Sequence, residues 1–194
     1  MLADCISPSA YPSALADLML LDQAATLDAG IYEDQHRSRL EQLTPTTACA
    51  GQQVIDPSSA ACCISGLWLL HHFLDESHRV SQDISTSSGS FWHGIMHRRE
   101  GDYSNAKYWF RRVGDHPVFS QLADACQRQL SEDSKELAAL PIEAGNWDAS
   151  AFVDMCESAV RGDREGSALC QGIARMEWQL LFDHCFRAAV GQIE

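Results

Sequence analysis

The residues with the most chemistry available to them lie between positions 67 and 112. His71, Asp75 and His78 are spaced i, i+4, i+7, and His93, His97 and Glu100 repeat that spacing. On an α-helix, residues so spaced project from one face. Two such helices in contact would aim imidazoles and carboxylates at a common point. With ligand distances of about 2.0–2.2 Å, that is how helical bundles hold a divalent ion such as zinc, iron or manganese. Near the C-terminus, Glu177 and His184 are also seven apart, and Asp183 adjoins His184. The expected metal set is His71, Asp75, His78, His93, His97 and Glu177. A His-Glu-x-x-His protease signature and the paired Glu-x-x-His of di-iron bundles are both absent.

The segment FWHGIMHRREGDYSNAKYWFRR, residues 91–112, adds cations and aromatics to these groups. A pocket between the helix carrying His71–His78 and this segment would bind a small anionic ligand. Its binding residues would be Trp92, Arg98, Asn105, Lys107 and Arg112, because an arginine fork matches the geometry of a carboxylate or phosphate. The expected catalytic group is His93, His97, Glu100 and Arg99, with either histidine as general base or metal ligand and the arginine holding an anionic substrate. Two other readings use the same residues. In one, the arginines and acids satisfy each other in a buried structural network. In the other, an exposed groove anchored by Trp92 or Trp109 binds a protein or peptide partner. Arg99 projects into its own helix's apolar arc of Trp92, Ile95 and Met96. Its stem must snorkel, or its guanidinium must be buried against Asp75, Glu76 or Glu177.

Composition narrows the field. The chain has 194 residues, 45% hydrophobic and 21% charged, with a net charge of −13. That is globular composition in the size range of one domain spanning 1–194, and its negative charge disfavours nucleic acid and anionic membrane as partners. The charge is uneven: 8 acids against 2 bases over residues 1–60, 14 against 6 over 115–194, but 5 against 6 over 66–112. The near-neutral middle also holds five of the eight histidines. No apolar run is long enough for a bilayer, and MLADCISPSAYPS lacks a basic-then-apolar leader, so a cytoplasmic protein is expected. The eight cysteines form no Cys-x-x-Cys pair and read as buried thiols in a reducing compartment. Phosphate-loop and dinucleotide fingerprints are missing, which excludes those enzyme classes.

Apolar periodicity is helical almost throughout. It predicts an all-α bundle of about seven to eight helices. Pro12 opens a first helix whose apolar face is Leu15, Leu18, Met19 and Leu21, and a second covers Tyr32 to Leu43. A loop through TPTTACAGQQ precedes a long helix capped by Asp56-Pro57 and reaching Asp83. STSSGS (85–90) reads as a loop. Helices follow at about 91–100, 103–113, 117–131, 149–161 (capped by Asp148) and 165–190, separated by Gly101, Gly114, Pro117 and Gly162.

Gly101, Ala106, Phe110 and Pro117 resemble the second half of a tetratricopeptide repeat, which implies a helical hairpin with Ala and Phe packed between its helices. One copy cannot bury its face alone, so a repeat-like hairpin inside a bundle is expected. More broadly, GLWLLHHFLDESH, FWHGIMHRREGDYSNAKYWFRRVGDHPVF, WDASAFVDMCE and EWQLLFDHC are similar to a family of uncharacterised bacterial and fungal proteins. That resemblance covers much of residues 66–185 and carries no catalytic residue to this chain.

Overall fold

The computed structural model describes residues 2–49, 52–130, 134–143, 145–162 and 164–193, with the side chains of 164 and 165 excepted. It is an all-α bundle. In chain order the helices are α1 (Ser13–Ala16), α2 (Arg37–Glu41), α3 (Pro45–Ala48), α4 (Pro57–Leu70), α5 (Leu74–Ser81) and α6 (Ser87–Glu100). They continue with α7 (Tyr103–Val113), α8 (Pro117–Gln129), α9 (Lys135–Ala138), α10 (Ala149–Arg161) and α11 (Arg164–Ala189). An antiparallel hairpin, β1 (Ile142–Glu143) with β2 (Asn146–Trp147), pairs Ile142 with Trp147. Two residues per strand are too few to show alternation in a sequence. No helix among the described residues is long and apolar enough to cross a membrane.

The core forms where α4, α6 and α11 interlock. Residues 88–99 of α6 are buried on every side of the helix, so α6 is the axis of the bundle. Close approach needs small residues. A Cβ on Gly66 of α4 would lie 2.7 Å from the Trp92 ring, and one on Gly94 would lie 3.2 Å from Phe110. Trp178 of α11 packs edge-on to Trp92 at 6.0 Å and donates its Nε1–H to the Gly66 carbonyl at 2.9 Å. Large rings seated over glycine bury apolar area worth roughly 1.5–3 kcal/mol per side chain, and any Cβ at Gly66 would displace the indole.

The helix expected from Asp56 to Asp83 is instead two helices, which corrects the sequence reading at the position that matters most. Asp56 caps α4 as expected, its Oδ1 accepting from Ser58 N at 2.9 Å. The helix then ends in a Schellman motif: Phe73 N–H donates to Trp68 O and His72 N–H to Leu69 O. His72 occupies the left-handed position, φ 65°, that glycine usually fills. A β-carbon there costs roughly 1–2 kcal/mol. Two contacts offset that cost, because Arg99 Nη2 donates to His72 Nδ1 at 2.6 Å and His71 Nε2 bonds the Leu18 carbonyl at 2.8 Å. No turn-type residue marks this break in the sequence.

Other boundaries differ for similar tertiary reasons. The helix opened by Pro12 stops at Ala16, and the Leu18 carbonyl is taken by His71. The 32–43 helix is reduced to a 3-10 turn and α2, with Arg37 drawn over the Phe73 ring at 4.3 Å and onto Glu76. α3 sits inside the expected 44–53 loop, closed by reciprocal Thr44–Thr47 bonds, and residues 50 and 51 of that loop lie outside the described residues. α6 begins at Ser87, four residues early, because Thr86 caps Gly89 N at 3.1 Å. α7 and α10 have the predicted limits, and α8 ends at Gln129, with residue 131 outside the described residues. Between α6 and α7, Gly101 turns the chain at φ 90°, Ala106 is fully buried, and Phe110 meets Phe91 edge-on at 5.5 Å.

Candidate metal centre

Ending α4 at Leu70 frees α5 to turn, and α5 lays its His78 against α6. His93 and His97 stand one turn apart on α6 and meet it there. The His78 ring centre lies 4.6 Å from His93 and 5.4 Å from His97, and His93 and His97 are 4.7 Å apart. Each imidazole offers one nitrogen, and these three atoms lie within 4.8 Å of one another. Tetrahedral ligation at about 2.0–2.1 Å would bring them to about 3.4 Å. Side-chain rotation of half-buried His78 is the natural way to close that difference.

Two of the three rings are already oriented. His93 Nδ1 lies 2.9 Å from Ser81 Oγ, and Ser81 Oγ lies 3.3 Å from the His78 carbonyl. When the serine hydroxyl donates to that carbonyl it accepts from Nδ1–H, the tautomer that carries the His93 lone pair on Nε2. His97 Nδ1 is 2.8 Å from Glu100 Oε2, so Nδ1–H donates to a carboxylate and again Nε2 carries the lone pair. A ligating histidine tied through its other nitrogen is the usual arrangement at metal sites. Asn105 Nδ2 lies 3.1 Å from His97 Nε2 and 3.4 Å from Nδ1. An atom nearly equidistant from both ring nitrogens sits over the ring face, away from the lone-pair axis. The amide therefore roofs the imidazole and leaves Nε2 open.

Burial pushes the His93 pKa down to about 3, with neighbouring His97 and His78 adding to the shift. The ring stays neutral at physiological pH, the form that ligates metal. The same property argues against a serine nucleophile at Ser81. That hydroxyl is buried at 1% exposure, and so weakly basic an imidazole is a poor proton acceptor. Trp109 of α7 closes one side, its ring centre 4.1 Å from His93, and Arg112 stacks on Trp109 at 5.2 Å.

Of the six residues expected as metal ligands, the structure brings three together. His71 turns to Leu18 O and stacks 4.7 Å from His36. Asp75 is exposed beyond the helix break and lines a separate cavity of about 320 Å³ with Tyr32, Arg37, His72, Phe73 and Glu76. Glu177 is fully buried against Arg98, with bonds of 3.2 and 2.5 Å. That pair joins α6 to α11, under Phe152 at 4.6 Å from the guanidinium carbon. Burial opposes the charge on Arg98, but Glu177 outweighs it and the net shift is upward.

The expected catalytic and ligand-binding residues also part company. His93, His97 and Glu100 share the centre. Arg99 leaves it, donating to the carbonyls of Asp28 and Leu69 at 3.0 and 2.6 Å and to His72. It is buried without the carboxylate that its position suggested, and burial followed by repulsion from Arg98 lowers its pKa to about 10. Arg98 and Trp92 are core residues, and Lys107 pairs with Asp154. Asn105 and Arg112 remain at the rim. Ser81 was not legible as a site residue, although His78-x-x-Ser81 places both on one face of α5. The chain matches no protein-family model, no curated protein and no solved structure.

Proposed function

We propose that this protein binds one divalent transition-metal ion through the imidazoles of His78, His93 and His97. The observation that carries this reading is the convergence of three ligand atoms, from two helices, within 4.8 Å. An all-imidazole set suits zinc, copper, iron or nickel better than the hard cations. Three protein ligands with a remaining position is the pattern of reactive zinc sites, whereas structural sites close all four. The Ser81 and Glu100 contacts support the reading, since each holds an α6 imidazole through Nδ1 and leaves Nε2 to face the centre. A partner-binding hairpin would account for the exposed Tyr108 on α7 but would leave three converging imidazoles without a role.

The test is titration of the chelator-treated full chain with zinc and cobalt, read by calorimetry, elemental analysis and thermal unfolding. One equivalent should bind, and metal at a hundredfold excess over Kd should add about 2.7 kcal/mol to stability. His78→Ala is the informative variant because His78 is half-buried, so its loss leaves the core intact. It should weaken binding beyond the about 10–100-fold caused by losing an orienting partner. No stoichiometric binding, or wild-type affinity in both His78→Ala and His97→Ala, would remove the proposal.

A further inference from the structure

Three neutral imidazoles leave a divalent ion with both of its positive charges, so the open position favours an anion over a neutral ligand. The groups around that position have the same preference. Asn105 holds its amide nitrogen over the His97 ring, 3.1 Å from the ligating Nε2, with N–H groups to spare. Arg112 is exposed on α7, its guanidinium 5.2 Å over Trp109 and 5.9 Å from Tyr108, and among the described residues it forms no ion pair. Trp109 in turn rests on His93. Two acids beside the site are committed, Glu100 to His97 Nδ1 and Asp102 to the α7 cap through Asn105 N and Ser104. In a chain of net charge −13, the α7 side of this site therefore presents an exposed cation and an amide donor.

Resting on the metal reading above, we infer that the ligand of this centre is a small oxyanion. One of its oxygens coordinates the ion, and its remaining oxygens accept hydrogen bonds from the Asn105 amide and the Arg112 guanidinium. Trp109 supplies the apolar shelf that holds the arginine over the site. Carboxylate and phosphate share this chemistry, and direct titration separates them.

The experiment uses the cobalt-loaded full chain, whose visible absorption reports the ion's coordination, titrated with acetate and separately with inorganic phosphate. A saturable spectral change with at least one anion is expected, and the tighter of the two identifies the class. Arg112→Gln should raise the apparent Kd about tenfold, the loss of one charge-assisted hydrogen bond, and Asn105→Ala should raise it by a smaller factor. Cobalt affinity of both variants should stay within about twofold, since neither residue ligates the ion. If cobalt binds but neither anion alters the spectrum, or Arg112→Gln leaves the Kd unchanged, the inference fails while the metal site stands. If cobalt does not bind at all, both fall together.

Discussion

Ser81 Oγ and His93 Nδ1 lie 2.9 Å apart, and through this contact the last turn of α5 fixes the imidazole of α6. Both residues are buried, so water does not replace either partner. Ser81→Ala should therefore leave the buried His93 Nδ1 without its partner, costing roughly 1–3 kcal/mol of stability. It should also release the His93 ring and weaken zinc about 10–100-fold. Calorimetry beside chemical denaturation separates the two effects, and unchanged zinc affinity would show that the serine serves the fold alone.

Arg98 and Glu177 are each almost fully buried, so either one alone would be an isolated charge in the core. Glu177→Ala should cost about 3–5 kcal/mol, measured by urea unfolding, whereas Arg98→Met with Glu177→Leu should recover most of that loss. Equal stability of the single and double variants would contradict the pairing.

Gly30 is held at φ 70°, and a Cβ there would lie 2.5 Å from His72 Nδ1. Gly30→Ala should lower stability by about 1–3 kcal/mol through backbone strain and overpacking together. Adding His72→Ala removes the collision but not the strain. The difference between the single variant and the pair, corrected for His72→Ala alone, isolates the steric part by thermal melts.

His116 caps α8, its Nδ1 accepting from Val118 N–H at 3.2 Å while its Nε2 lies 3.0 Å from Ser88 Oγ. Burial, with His184 4.7 Å away, lowers its pKa to about 4. The unfolded chain takes up this proton near pH 6.5, earlier than the folded one. The stabilisation is therefore complete above about pH 6.5 and is lost as pH falls toward about 4. Protonation also destroys the cap, because Nδ1–H cannot accept. His116→Asn keeps an acceptor at the cap position, and urea midpoints measured from pH 7 to 4 should fall less steeply for it than for the wild type. An unaltered slope would place the acid sensitivity at other histidines, His72 among them.

Much of the fold can be derived from local patterns. Tyr103–Val113 and Ala149–Arg161 have the limits that Gly101, Gly114, Asp148 and Gly162 imply, since capping chemistry is read within a few residues. Ala106 and Phe110, expected to pack between the helices of the hairpin, are both buried on α7. His93, His97 and Glu100 could be placed on one face because α6 runs unbroken through all three.

What local pattern could not decide is where a helix stops for reasons supplied by a distant segment. His71, Asp75 and His78 satisfy helical spacing, yet His72 adopts a left-handed turn between them because Arg99, 27 residues away, fills its Nδ1. The break at His72 separates His71 from Asp75 and His78, and of the three only His78 meets α6. Likewise, the side-by-side arginines 98 and 99 carry the same charge, and only the packing of α6 assigns one to Glu177 and the other to backbone carbonyls. The types of group in the site and their helical faces follow from the order of residues alone, because side-chain direction repeats with the backbone. Which of those groups meet depends on how buried polar atoms find partners across the whole chain, and that is settled only when the helices pack.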